Sequence, residues 1–127
     1  ALEVTIKPDT ANPMMYNTKE IIAKPGQHIK LTFDNKGAIA PLPHNVVIGQ
    51  AGTKEVILAL SMKIMTDPNG MAKGYIPEAP EVLAHTKLVN AGASETIEFN
   101  VGAAGDYPYM CTFPGHSLMM NGTIKVQ

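Results

Sequence analysis

Apolar and polar residues alternate along most of this chain, and glycine and proline break the alternation at short intervals. Over residues 2–7, Leu2, Val4 and Ile6 fall on one side and Glu3, Thr5 and Lys7 on the other. This period of two marks a strand with one buried face. The pattern returns where Ile29, Leu31 and Phe33 oppose Lys30, Thr32 and Asp34, and again where Ile97, Phe99 and Val101 oppose Thr96, Glu98 and Asn100. Shorter strands are predicted at 20–23, 45–48, 107–111 and 122–126. Pro25-Gly26 between two of them predicts a type II turn, with glycine at the position that needs a positive φ. In the strand at 107–111, Tyr107, Tyr109 and Cys111 share one face and Pro108 and Met110 the other. Pro108 has no N–H to give to a ladder, which predicts a sheet edge or a bulge there.

Residues 50–90 follow a different rhythm. Val56, Ile57, Leu60 and Ile64 recur at helical spacing after Gly52 or Thr53 as cap, and Asp67-Pro68-Asn69-Gly70 ends the run. A loop at 74–80 and an extended segment at 82–89 follow, so the whole segment reads as a flap inserted between strands. Its methionines Met62, Met65 and Met71 are assigned to packing, and His85 to a structural or surface role. The fold class predicted is all-β: an antiparallel Greek-key β-sandwich with a short helical flap. The 127 residues make one domain, 1–127. A net charge of −1 offers no basic surface for nucleic acid, and no apolar run approaches the ~20 residues of a membrane span. The start at Ala1 fits a processed or trimmed chain, with any tether ahead of it out of view.

The chemistry gathers at 111–120, Cys-Thr-Phe-Pro-Gly-His-Ser-Leu-Met-Met. Cys111, His116 and Met120 form a C-x4-H-x3-M pattern around Pro114-Gly115, a pair that turns the chain sharply. Each residue alone is ordinary: a buried cysteine or methionine fills core and a histidine finds a polar partner. Together they offer a thiolate, an imidazole and a thioether, donors that copper accepts in both oxidation states. A second imidazole completes a trigonal set with a long axial methionine, and His44 is the candidate. It ends the proline-stiffened loop 35–43, where that loop meets an apolar strand.

These residues resemble the azurin-type cupredoxins, the blue copper proteins, and among them most closely the auracyanins of phototrophic bacteria. The resemblance rests on Cys-Thr-Phe-Pro-Gly-His-Ser at 111–117, on His44-Asn45, on Leu83-Ala84-His85-Thr86-Lys87-Leu88 and on Tyr16-Asn17-Thr18, and it spans essentially the whole chain. It implies one type 1 copper ion held by His44, Cys111, His116 and, weakly, Met120. Pro43 would stand where azurins place a glycine with a distant axial carbonyl. Asn45 and Phe113 would give backbone N–H groups to the Cys111 sulfur, and the Asn45 side chain would tie the two ligand loops through Thr112. Two departures stand out. The single cysteine excludes the disulfide typical of azurins, and Asn35 replaces a histidine that carries a pH-linked switch.

The function implied is one-electron transfer between Cu(I) and Cu(II). Met14, Leu42, Pro43, Phe113, Pro114, Leu118 and Met119 would form an apolar docking patch around His116, which lies on an exposed loop and would pass the electron. Partners would be redox proteins such as c-type cytochromes or membrane electron-transfer complexes of a photosynthetic or respiratory chain. The protein would act as a monomer in the periplasm or elsewhere outside the cytoplasm, either free or tethered to the membrane. A copper-delivery protein is the alternative. An enzyme is disfavoured, because cupredoxin domains that feed a second copper carry a histidine beside the ligand cysteine, and here Cys111 is flanked by Met110 and Thr112.

Overall fold

The computed structural model describes residues 1–38 and 40–127; the Ile39 position of the loop expected at 35–43 lies outside them. Among the described residues the alternating segments become eight strands: β1 (Leu2–Ile6), β2 (Glu20–Ala23), β3 (His28–Asp34), β4 (Val47–Gly49), β5 (Val82–His85), β6 (Ser94–Asn100), β7 (Gly105–Met110) and β8 (Asn121–Val126). One helix, α1 (Lys54–Met65), stands between β4 and β5. The strands form a three-stranded sheet in the order β1-β3-β6 and a five-stranded sheet in the order β2-β8-β7-β4-β5. Their apolar faces meet in one core. Ile6, Ile29, Leu31 and Phe33 come from the smaller sheet, and Ile21, Tyr107, Tyr109, Ile124 and Val126 from the larger. Cys111 and Met120 belong to the same buried cluster.

The β-sandwich expected from the sequence is therefore present, with mixed rather than purely antiparallel strand directions. β1 runs parallel to β3 and β2 runs parallel to β8. Alternation reports which face of a strand is buried and carries no information about the direction of its neighbour, so these two pairs were not legible. Nor does Pro108 sit on an edge strand. β7 is internal, between β8 and β4, but the β4 ladder ends at the pair Ile48↔Tyr109, one residue short of Pro108. The missing N–H therefore falls where pairing with β4 has already stopped. The Lys24-Pro25-Gly26-Gln27 turn is type II as predicted, with the Gln27 N–H bonded to the Lys24 carbonyl and Gly26 at φ 73°.

Met110 points away from the main core, opposite Tyr109 and Cys111, and joins Val47 and Ile57 in a second small cluster. That cluster seats α1 on the outer face of the larger sheet. The helix start comes close because Gly49 has no side chain: a Cβ there would collide with Thr53 and press on Ile57 and Pro108. Thr53 holds the N-cap position without a side-chain cap bond. Its hydroxyl instead donates backward to the Gln50 carbonyl, at 2.7 Å. The buried stripe of the helix is Ile57 and Ser61, which leaves Val56, Met62 and Met65 exposed. Met71 is exposed as well, so the packing role assigned to these methionines is not what the structure shows.

Gly122, in β8, lies against the hydroxyl end of the Tyr109 ring, where a Cβ would collide with Cζ. Tyr109 cannot swing aside, since it is fully buried and its hydroxyl donates to the Thr18 carbonyl at 2.6 Å. Gly122→Ala should destabilise the fold by ~1–3 kcal/mol, the usual cost of overpacking a core. Chemical denaturation checks this; a midpoint equal to that of the parent would show that the ring has room.

Candidate metal centre

Three segments bring the donors together. The first is the ligand loop after β7. Pro114 and Gly115 form a type II turn closed by the His116 N–H on the Phe113 carbonyl at 3.0 Å, with Gly115 at φ 83°. The loop is sealed by the Cys111 N–H on the Met120 carbonyl at 3.0 Å and by the Met120 N–H on the His116 carbonyl at 2.8 Å. The second segment runs through His44, which does not belong to a strand. It makes an isolated bridge with Val89, exchanging two backbone bonds of 3.1 and 2.7 Å. Asn35 supports this strap from below, its Nδ2 donating to the carbonyls of Leu42 and Val89 at 3.1 Å each.

The third segment is the flap. Asn45 locks all three together. Its Oδ1 accepts from the Thr112 N–H at 2.8 Å, and its Nδ2 donates to Thr112 Oγ1 at 2.9 Å and to the Gly74 carbonyl at 3.0 Å. Its own carbonyl accepts from the buried Tyr16 hydroxyl at 2.6 Å. Thr112 Oγ1 donates to the Tyr75 carbonyl, and the Tyr75 ring meets Phe113 edge-on at 5.4 Å. Tyr75 adopts φ 56°, the left-handed region that a bulky residue seldom visits. The flap contacts at Gly74 and Tyr75 were not found from the sequence, where 74–80 read simply as loop. A single buried asparagine with every polar atom paired resists loosening, because each orphaned group would cost ~1–3 kcal/mol.

Among the described residues, His44, Cys111 and His116 form the group whose donor atoms all lie within 4.8 Å of one another. His116 Nδ1 stands 3.4 Å from Cys111 Sγ, His44 Nδ1 3.9 Å from it, and the two Nδ1 atoms are 3.2 Å apart. All three residues are buried. Aromatic rings fix the imidazole planes: Phe33 meets His44 edge-on at 6.0 Å, and Phe113 packs on His116 at 4.9 Å. Burial lowers the pKa of His44 to about 4, helped by His116, and lowers that of His116 as well. Both rings therefore hold a free nitrogen lone pair. Burial also pushes the Cys111 thiol up to about 11, while the backbone N–H groups of Asn45 and Phe113 pull it down.

Those two N–H groups are informative. They are aimed at a sulfur that burial alone would keep neutral, and they stabilise it only as a thiolate. A cation between the sulfur and the two imidazoles removes the burial penalty, since a coordinating thiol is deprotonated outright. The donor set of one sulfur and two nitrogens suits copper, so the residues fit the ion.

The family model for copper binding proteins of the plastocyanin/azurin family matches residues 2–127. The chain belongs to that family. It is 34% identical to azurin-2 of Alcaligenes xylosoxydans xylosoxydans, over 98% of this chain and 96% of the relative. The solved structure of dithionite-reduced auracyanin from Roseiflexus castenholzii superposes with a TM-score of 0.85 at 30% identity, covering 100% of this chain and 98% of that one. Auracyanin A of Chloroflexus aurantiacus gives 0.85 at 25% identity, covering 99% and 98%. Resemblance to azurins and auracyanins thus holds over the whole sandwich, and His44, Cys111 and His116, with Met120, are arranged as the type 1 copper site of a cupredoxin electron carrier.

The loop carrying His116 is open, as expected, while the imidazole itself is nearly closed over: 4% of the residue's surface reaches solvent, against 1% for His44. The Phe113 ring packs on it, and the open residues of the loop are Gly115, Leu118 and Met119. Met14, Leu42 and Pro43 are half-buried. His85 lies outside the centre, its Nδ1 at 2.9 Å from the Thr86 carbonyl.

Proposed function

We propose that this chain carries single electrons between redox proteins outside the cytoplasm, exchanging them through the surface over His116. The observation that supports this best is the centre itself: two imidazoles and a thiol meet in the core with their donor atoms within 4.8 Å of one another, each held by packing or hydrogen bonds. Copper held there supplies a Cu(I)/Cu(II) couple. The residues do the rest. Asn45 and Thr112 keep the two ligand loops from moving apart, so the donors stay in place through a change of charge. The apolar core below excludes water. Met120, fully buried beside Cys111 in that core, is assigned as the weak axial donor. Pro43, Asn45, Thr112 and Phe113 form the shell around the donors.

The patch of Met14, Leu42, Pro43, Phe113, Pro114, Leu118 and Met119 is assigned to partner docking. No charged side chain belongs to it, and the net charge of the chain is −1, so association should not depend on long-range steering. Brief apolar encounters of this kind use small interfaces. The partners proposed are c-type cytochromes or membrane electron-transfer complexes of a photosynthetic or respiratory chain, met by a monomer in the periplasm. No helix among the described residues is long and apolar enough to cross a membrane.

Stopped-flow mixing of the reduced, copper-loaded protein with an oxidised c-type cytochrome tests this reading. Electron transfer without metal loss is expected, with a rate that changes only modestly from low to moderate salt. Charge steering would instead give a steep fall and would count against apolar docking. Copper leaving the protein would mark a delivery role.

A further inference from the structure

Helix α1 carries a second set of soft donors, outside the copper centre. Met62 and Met65 line a groove of ≈ 160 Å³ between the helix and the ligand loop. Phe113, Ser117 and Leu118 form its other wall, and Ser61 lies between, its hydroxyl donating to the Leu58 carbonyl at 2.7 Å and accepting from the Ser117 hydroxyl at 3.0 Å. Residues three apart on a helix have Cβ atoms about 5–6 Å from each other. Methionine is unbranched and flexible, so two thioethers at that spacing reach a common ion. Packing does not account for the pair. Met62 and Met65 are 43% and 40% exposed, while the helix buries Ile57 and Ser61. The residues lining the groove include no Asp, Glu, Lys or Arg, which leaves nothing to attract a hard, hydrated cation. Thioethers select a soft ion, and among the ions this family handles that is Cu(I). The wall shared with the ligand loop puts the groove next to His116.

We propose that Met62 and Met65 form a transient Cu(I) site through which the copper centre is loaded, an inference that rests on the copper reading above. Two thioethers leave the ion's shell incomplete, and the stronger donors lie just behind Phe113 and Ser117. Passing the ion on is a ligand exchange. The bonds to the two thioether sulfurs break, bonds to His116 and Cys111 form, and the Cys111 proton leaves to solvent. Copper remains Cu(I) throughout, so no oxidant or reductant is needed.

Copper content and the visible band of the oxidised protein, measured first, test the centre by itself. With both present, the copper-loaded, reduced protein labelled with methyl-13C methionine is titrated with Ag(I), a closed-shell mimic of Cu(I). The methyl signals of Met62 and Met65 should shift together and saturate at a single equivalent, while those of Met71 and Met119 stay. In Met62→Leu the Met65 signal, and in Met65→Leu the Met62 signal, should no longer saturate at one equivalent; a remaining methionine that still does so alone would overturn the shared site. Uptake of Cu(I) by the metal-free double variant Met62→Leu/Met65→Leu from a bicinchoninate complex should be slower than in the parent or in Met71→Leu, ending at the same copper content and spectrum. Uptake as fast as that of the parent would overturn the proposal. So would Ag(I) shifts at Met71 or Met119 in place of Met62 and Met65, or a changed final spectrum, which would mean that the pair acts on the centre's structure.

Discussion

Cys111→Ser is expected to erase the intense visible band of the oxidised, copper-loaded protein. That band requires charge transfer from a thiolate to Cu(II), and Cys111 is the only cysteine in the chain. The serine hydroxyl is close in size to the thiol, so the packing of the buried cluster that holds Cys111 with Tyr109 and Met120 is kept. The chemistry is not. A hydroxyl is a hard donor that holds its proton, and the N–H groups of Asn45 and Phe113 that face the sulfur would face a neutral oxygen instead. Loss of the band should therefore be complete, with a fall in affinity for Cu(I) larger than that for Cu(II), since the soft ion loses its softest partner. Visible absorption and EPR of the reconstituted variant read the result. Far-UV circular dichroism matching the parent would show that the sandwich is intact. Persistence of the band would mean that sulfur is not a ligand, and the assignment of the centre would fall.

The parts of this molecule that were legible in the sequence are those that depend on local spacing. Alternation placed the strands because a half-buried strand must repeat every two residues. Pro-Gly pairs placed two turns, at Pro25-Gly26, expected as type II, and at Pro114-Gly115, because that pair combines a fixed φ with a positive one. The donors in 111–120 were legible because a turn of that length closes on itself. What was not legible depends on contacts distant in sequence. The parallel pairs β1–β3 and β2–β8 have the same alternation that antiparallel pairs would have. The clamp from Asn45 to Gly74, and from Thr112 to Tyr75, joins segments 29 and 37 residues apart. No pattern in a loop of ordinary composition announces that its carbonyls are needed elsewhere. The loop carrying His116 read as exposed, and Gly115, Leu118 and Met119 are, but that Phe113 folds over the imidazole was not legible.

Met119 and Met120 are adjacent, alike in chemistry and opposite in surroundings, so their effects should separate cleanly. Met120 is fully buried in the cluster that holds Cys111, and its backbone closes the ligand loop at both ends. Met119 is 50% exposed. If Met120 supplies the weak axial contact, its replacement tunes the couple without emptying the site, because the two imidazoles and the thiolate remain. Leucine gives Cu(II) less donation, favours Cu(I) and raises the reduction potential; glutamine offers an oxygen, favours Cu(II) and lowers it. Met120→Leu and Met120→Gln should thus move the potential in opposite directions with copper still bound. Met119→Leu should leave it nearly unchanged. Met119→Lys should also leave it nearly unchanged while slowing reduction by a protein partner, because a charge then sits in the apolar patch and must be desolvated on docking. Voltammetry on the four variants, with stopped-flow rates for the last, measures this. Changes at position 119 that moved the potential more than those at 120 would place the axial donor one residue earlier, and the geometry of the loop between His116 and β8 would have to be redrawn around it.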